Sequence, residues 1–428
     1  QRAAMDYGVM YDPYTGLYIP KLVTKAEVDA LKDLPINAPQ SKWVTLKSVD
    51  EIKVPDDAWV DWDATKQEFI TAAEKAKADT NWKPTARIKS VVYYTPDLWK
   101  TTWHDGSPFS VADIVYYMIL MFDPGKAESK IYDEAIGETV ATFLTHFKGV
   151  KIVSTNPLTI ETYDDQFALD AENNIKDWYP NWNITSSLQA GMFAWHDLTP
   201  AALAEADGKM AFSEIKSTSK EIEYTSLISG PSLEIQAQYL DKLIADKTIP
   251  YAPTMSKYVK PDEAATRYKN LKTWYDTHKH LYIGTGPYFI DKVFPVEGSI
   301  TATRYDKYIF PADQISGYEE PKLMTLAVEG PLAVAAGEEA SFDVAVTFKN
   351  QPYPLADLEK VSFTLFNTKG EIAATGEAKP VTDGKYTITL SKEVTGKLES
   401  GTSKLTVASV SKVVSLPVFE SVEFVVTK

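Results

Sequence analysis

Two periodicities divide this chain. From about residue 340 onward, apolar and polar residues alternate. Segments 341–348, 361–366, 386–390, 404–408 and 422–426 place apolar residues at every second position. A strand turns successive side chains to opposite faces, so each segment predicts a strand with one apolar face. Gly337, residues 367–370, Asp383-Gly384 and Gly401 punctuate them as turns. The set predicts an all-β, immunoglobulin-like sandwich; short strands at this spacing also suit a small barrel. Asp383-Gly384-Lys385-Tyr386 resembles a tyrosine corner, in which a hydroxyl pins a strand crossing.

Before residue 320 the pattern mixes. Residues 87–94 and 150–163 read as strands. Residues 110–122 read as a helix, with Ser110 as N-cap, Asp113 at the third helical position and Pro124 stopping the run. Residues 232–246 and 261–278 also read as helices, the second with Pro261 in the first turn and Asp262-Glu263 favouring its N-terminus.

Composition sharpens the division. All ten Trp and all five His precede residue 320, Trp274 being the last Trp. Residues 322–428 hold 11 Lys and 13 Asp or Glu, a net −2, which leaves −13 of the total −15 to the earlier part. The expected domains are therefore 1–320 and 321–428, joined through Gly317-Tyr318-Glu319-Glu320-Pro321. The 428 residues suffice for two to four domains with sizeable cores.

Charge and cysteine count exclude function classes. An excess of 59 acidic over 44 basic residues argues against nucleic acid and anionic lipid as partners. The absence of Cys excludes disulfides, thiol catalysis and cysteine-ligated metals. No apolar run reaches the ~18 residues of a transmembrane helix. The chain opens Gln1-Arg2-Ala3-Ala4-Met5, without initiator Met or apolar leader, and reads as a processed, truncated or fragment chain.

Catalytic patterns are sparse. Gly-x-Ser-x-Gly, phosphate-loop and His-Glu-x-x-His motifs are all missing. His278 and His280 lie two apart, which suits one side of a strand, but the end of a helix explains them better than a metal. Asp56, Asp57, Asp61 and Asp63 surround Trp59 and Trp62 without EF-hand spacing, and a solvated loop outweighs a Ca²⁺ site. A glycosidase needs two carboxylates about 5–9 Å apart, and the sequence selects no pair. The expectation is no enzyme, no catalytic residue, no cofactor and no metal.

Aromatic residues carry more. Trp178-Tyr179-Pro180-Asn181-Trp182 and nearby Trp195 suit stacking on a ligand, with core packing as the competing role for each. Trp178, Trp182 and Trp195 are the candidate ligand-binding residues. Asn183-Ile184-Thr185 is the one N-glycosylation sequon.

One stretch is specific. Thr102-Trp103-His104-Asp105-Gly106-Ser107-Pro108-Phe109-Ser110-Val111-Ala112-Asp113-Ile114-Val115-Tyr116-Tyr117 resembles the motif of family 5 extracellular solute-binding proteins, the oligopeptide- and dipeptide-binding components of ABC importers. Residues 150–163 look like that family's next strand pair. Gly284-Thr285-Gly286-Pro287-Tyr288, followed by 301–308, looks like its later strand. The resemblance covers about residues 85–310. It implies a periplasmic-binding-protein-like (type II) α/β lobe, followed here by the immunoglobulin-like sandwich. Trp103, Asp105, Gly106, Ser110, Asp113, Gly284, Gly286, Pro287 and Tyr288 are expected to be structural: turn, core, cap and bend.

The departures matter equally. Residues 1–85 do not look like the family's opening, 164–283 look rearranged, and an immunoglobulin-like domain stands where a second lobe usually follows. The second lobe is expected upstream of Gln1, and an N-terminal fragment of the same precursor is an expected partner. The resemblance further implies an oligopeptide ligand (an oligosaccharide as the second class), an ABC permease as partner, and an extracellular, cell-surface location anchored through a segment outside this chain. A structural surface protein, lattice or filament, is the alternative.

Overall fold

The computed structural model describes residues 2–180, 193–311, 313–314, 318 and 320–428. The chain divides into two units. One comprises Gln1–Met10 and Tyr18–Gln314; the other comprises Tyr11–Leu17 and Ile315–Lys428. The division therefore falls before the expected linker, and seven residues from the beginning of the chain join the second unit.

Among the described residues, the first unit is built on a seven-stranded sheet. Its strands are β1 (Val23–Leu31), β2 (Val44–Val49), β3 (Trp59–Asp63), β4 (Glu68–Thr71), β5 (Ile88–Tyr94), β6 (Phe147–Thr155) and β7 (Leu158–Asp164). The spatial order is β2-β1-β5-β7-β6-β3-β4. β1 and β2 pair in parallel, and the remaining neighbours are antiparallel. β5 lies mid-sheet and is buried at Ile88, Ser90, Val91, Val92 and Tyr94. That two-sided burial explains its nearly continuous apolar run.

Four of this unit's helices matter most for the site: α1 (Val111–Leu120), α2 (Trp195–Ala206), α3 (Pro231–Asp246) and α4 (Pro261–His278). α1 is apolar around most of its circumference and buries eight of its ten residues, Asp113 among them. A helix buried on all sides must satisfy its polar groups internally. The Asp113 carboxylate does so at the helix start by accepting the Ser110 N–H at 2.8 Å. A hairpin of β8 (Tyr288–Phe294) and β9 (Ser299–Arg304) follows, with β9 exposed along its whole length. No helix among the described residues is long and apolar enough to cross a membrane.

The second unit is all β. Its strands are β10 (Thr325–Glu329), β11 (Ala333–Ala335), β12 (Ala340–Phe348), β13 (Leu358–Phe366), β14 (Ile372–Glu377), β15 (Lys379–Thr382), β16 (Lys385–Leu390), β17 (Gly401–Ser411) and β18 (Val418–Thr427). One sheet runs β10-β12-β16-β15, with Gln351–Pro352 added on β12; the other runs β11-β18-β17-β13-β14. The second sheet gains its parallel edge where β11 joins β18. This is the strand distribution of an immunoglobulin-like sandwich. Burial alternates as the sequence expects: Ala340, Phe342, Val344 and Val346 of β12 share one core with Leu405 and Val407 of β17.

The tyrosine-corner expectation is corrected. Tyr386 stands second in β16, near the strand start that a corner residue occupies, but the hydroxyl that bonds across strands is another. The pinning hydroxyl belongs to Tyr353, which is fully buried, donates to the Lys322 carbonyl at 3.1 Å and bonds Ser411 Oγ at 2.9 Å. Tyr353→Phe is expected to cost the second unit about 1–2 kcal/mol through these lost bonds. Denaturation followed by far-UV circular dichroism will show the loss. Tryptophan emission, which reports only residues before 320, will keep its midpoint.

Candidate functional site

The residues singled out between 102 and 117 fold into a turn that enters α1. Gly106 N–H closes it on the Trp103 carbonyl at 2.8 Å, and Gly106 takes φ +86°, a backbone conformation that disfavours a side chain. Trp103 is wholly buried. Beyond forming a turn, a core position and a helix cap, the motif carries a buried charge system.

Its two carboxylates each hold one base from a distant helix. Asp105 accepts the Ser107 N–H at 2.9 Å and the Ser107 hydroxyl at 3.0 Å, and its Oδ2 lies 2.9 Å from His196 Nε2 on α2. Burial alone would raise the Asp105 pKa; the His196 and Ser107 contacts outweigh it and hold the group below the usual range. Asp113 faces Arg267 of α4, whose Nη1 is 3.2 Å from both carboxylate oxygens. Arg267 Nη2 donates to Ser110 Oγ at 2.9 Å. Asn270, one turn along α4, donates to Ser107 Oγ at 3.1 Å. The turn thus fastens α1, α2 and α4 to one another.

Asp197 adds a third buried carboxyl beside His196. Burial, and then the charges of Asp105 and Asp113, push its pKa well above 3.8. The folded state therefore binds a proton that the unfolded chain releases. Stability from this group is complete below pH 3.8 and is lost as pH rises toward the folded value. Asp197→Asn removes that dependence. The variant's melting temperature, measured against the parent from about pH 4 to 8, is expected to gain steadily as pH rises.

The other motif segment docks on the same turn. His104 N–H donates to the Gly284 carbonyl at 2.9 Å, and Gly284 N–H donates to His104 Nδ1 at 3.1 Å. Nδ1 is thereby the acceptor, so Nε2 carries the proton and donates to the Gly286 carbonyl at 3.0 Å. Burial lowers the His104 pKa to about 4, against the pull of the Gly286 carbonyl. Gly284 and Gly286 are required for close approach: a Cβ on Gly284 would lie 1.8 Å from the Ala4 carbonyl oxygen, and one on Gly286 2.5 Å from Met5 N. Gly286 and Pro287 also lie in the backbone bend expected of them. Pro287 offers its carbonyl to Tyr305 N–H at 2.8 Å, and Tyr288 opens β8.

The aromatic candidates lie elsewhere than a ligand surface. Trp178 is 5% exposed and donates from Nε1 to Thr162 Oγ1 at 2.8 Å. Trp195 is fully buried; its ring meets the Arg267 guanidinium at 5.2 Å and Tyr268 edge-on at 5.6 Å. Neither turns a face to solvent, because each closes a gap in the core. Trp182 and Asn183 lie outside the described residues. A recess with about 10 Å³ of water-sized space lies between Tyr116, Tyr117, Leu120, Pro180, Phe193 and Leu198, far below the ~300–1,000 Å³ of ordinary small-ligand sites.

The metal candidates have other partners. His280 Nδ1 accepts the Tyr282 N–H at 3.2 Å, so Nε2 donates to the Ile290 carbonyl at 2.9 Å and neither nitrogen offers a lone pair. His278 Nδ1 lies 3.1 Å from the Asp291 carbonyl oxygen. In the acidic cluster, Asp57 pairs with Lys151, Asp61 with Lys75 and Lys126, and Asp63 accepts the Thr65 and Lys66 N–H groups. Among the described residues, no group of three or more His, Cys, Asp or Glu is placed to hold a metal ion.

Comparison with known proteins adds little. No family model matches the chain, and no curated protein matches it. Solved structures resemble a quarter of it. The PKD domain of an M14-like peptidase from a Thermoplasmatales archaeon is 14% identical at a TM-score of 0.17, over 24% of this chain and 93% of that one. A CARDB domain from Pyrococcus furiosus is 13% identical at 0.17, over 24% and 87%. A thermostable endoglucanase from Alicyclobacillus acidocaldarius is 18% identical at 0.16, over 25% and 15%. Likeness at these scores carries no argument about function.

Proposed function

We propose that the chain is part of an extracellular solute-binding protein that captures oligopeptides, with oligosaccharides as the second ligand class, and delivers them to an ABC permease. The α/β unit is then a type II binding-protein lobe, held at the cell surface through a segment outside this chain. One observation supports this most: the two segments that resemble the solute-binding family, 180 residues apart in the chain, meet at His104 and Gly284. Trp103, His104, Ser107 and Asp113 among them are buried, and their bonds tie elements together, as a scaffold motif should. A binding protein works by hinge closure on its ligand, whose differential affinity shifts an open–closed equilibrium.

Native mass spectrometry of the protein isolated from its source tests the proposal. A complex of this chain, a second fragment of the same precursor and a peptide-sized or sugar-sized ligand is the expected result. Ligand-free higher oligomers would replace it with a surface lattice or filament. The exposed β9 edge favours that second reading, since uncovered strands invite pairing between chains.

A further inference from the structure

The beginning of the chain is seated as a bound peptide would be. Ala4, Met5, Asp6, Gly8 and Val9 are all buried, yet what holds them is reading by separate groups at alternate positions. At Ala4, the carbonyl accepts the Gly286 N–H at 3.1 Å. The Gly284 and Gly286 backbones pass so close to Ala4 and Met5 that a Cβ on either would collide with them. At Asp6, Tyr308 Oη donates to Oδ2 at 3.2 Å, and Lys21 Nζ lies 3.4 Å from Oδ1. Lys21 is itself held by Tyr308 Oη at 2.8 Å and Gln314 Oε1 at 3.0 Å. At Gly8, the carbonyl accepts the Leu22 and Val23 N–H groups at 3.0 and 2.8 Å. A Cβ there would lie 2.1 Å from Asp177 Oδ1. Asp177 also accepts the N–H groups of Gly8 and Val9 and the Tyr94 hydroxyl, the last at 2.6 Å.

We infer that the channel bounded by Gly284–Gly286, Lys21, Tyr308 and Asp177 is a binding site for a peptide of pattern acid-x-Gly, with the two residues before the acid held by their backbone, filled in this chain by its own residues 4–8. Each reader has a definite chemistry. Two glycines admit the close passage of the peptide backbone at Ala4 and Met5. A cation and a phenol accept an acid, and a carboxylate in contact with the backbone excludes any side chain. Alternate positions read by side-chain pockets, with backbone bonds supplying affinity, is how extended peptides are recognised generally. The inference stands whether or not the chain serves transport.

Protonation supports the picture. Burial raises the Asp6 pKa to about 6 against the pull of Lys21, the Tyr7 N–H and Tyr308. Tyr179 is the further titratable group that feels its charge. A free peptide carries the acid near its ordinary 3.8, so the seated segment holds a proton more firmly. Its affinity is expected to fall roughly 100-fold as pH rises from about 4 past 6, one tenfold step per pKa unit.

The test uses the full chain with a protease site inserted after Met10, cut in the folded state. The cut segment is expected to remain bound and to be replaced by a labelled synthetic peptide of residues 1–10. A peptide carrying Asp6→Lys, which sets a second ammonium against Lys21, should compete at least tenfold less well, and one carrying Gly8→Val should not compete. Equal competition by all three peptides would overturn the inference. So would a cut segment that leaves only when tryptophan emission shows unfolding. Hydrogen exchange on the uncut Asp6→Lys chain covers failure of the cut protein. Faster exchange at residues 4–9 with Val111–Leu120 unchanged is expected; equal acceleration in both would mean the segment is inseparable core.

Discussion

Arg267→Met is expected to destabilise the first unit by about 3–5 kcal/mol, because it strands Asp113 as an unpaired charge in the interior. Arg267 is 1% exposed and Asp113 not at all, so water cannot take over. The variant also strips Ser110 Oγ of its donor and Trp195 of its cation. Tryptophan emission during urea denaturation reads this unit alone. Adding Asp113→Asn should recover part of the loss, since the neutral amide no longer needs a counter-charge. Arg267→Lys should not restore the parent, because one ammonium cannot span both carboxylate oxygens and the serine. A loss below about 1 kcal/mol for Arg267→Met would show that the pair contributes little.

Trp195→Ala is expected to cost about 3–5 kcal/mol, the usual cost of emptying a large buried aromatic site. The ring is enclosed between Arg267 and Tyr268, and neither can collapse into the void without abandoning its own contacts. The measurement discriminates between two roles. A lower melting temperature identifies a core residue. An unchanged melting temperature with lost peptide or sugar binding would restore Trp195 as a ligand-stacking residue, as its position in an aromatic-rich stretch first suggests.

What the sequence makes visible is what repeats locally. The cap at Ser110 and the apolar run behind it mark α1 to within a residue or two, and Pro261–His278 is the helix its first turn announces. Alternation at 341–348 locates β12, which the structure extends by one residue to Ala340–Phe348. The 150–163 segment, read as a strand pair, is two antiparallel strands folded back at Asn156 and Pro157. Partners are invisible because no period encodes them. Asp105 meets a base 91 residues away and Asp113 one 154 residues away. Tyr353 and Tyr386 look alike as buried tyrosines until the strand positions are known. Gly8 gives no signal of the carboxylate pressed against it, since Asp177 lies far along the chain.

The membership of Tyr11–Leu17 in the second unit bears on modularity. Within that unit Tyr14 donates its hydroxyl to the Tyr318 carbonyl at 2.6 Å, and its own carbonyl accepts the Ser415 N–H at 2.9 Å. The sandwich is therefore not a cassette that one recombination event can lift from this gene or insert into another. A transfer of residues 315–428 alone leaves a gap behind Ser415 in the recipient and an orphaned heptapeptide in the donor. Descent of this architecture by shuffling requires either two coordinated exchanges or a later capture of the early segment by an already appended sandwich.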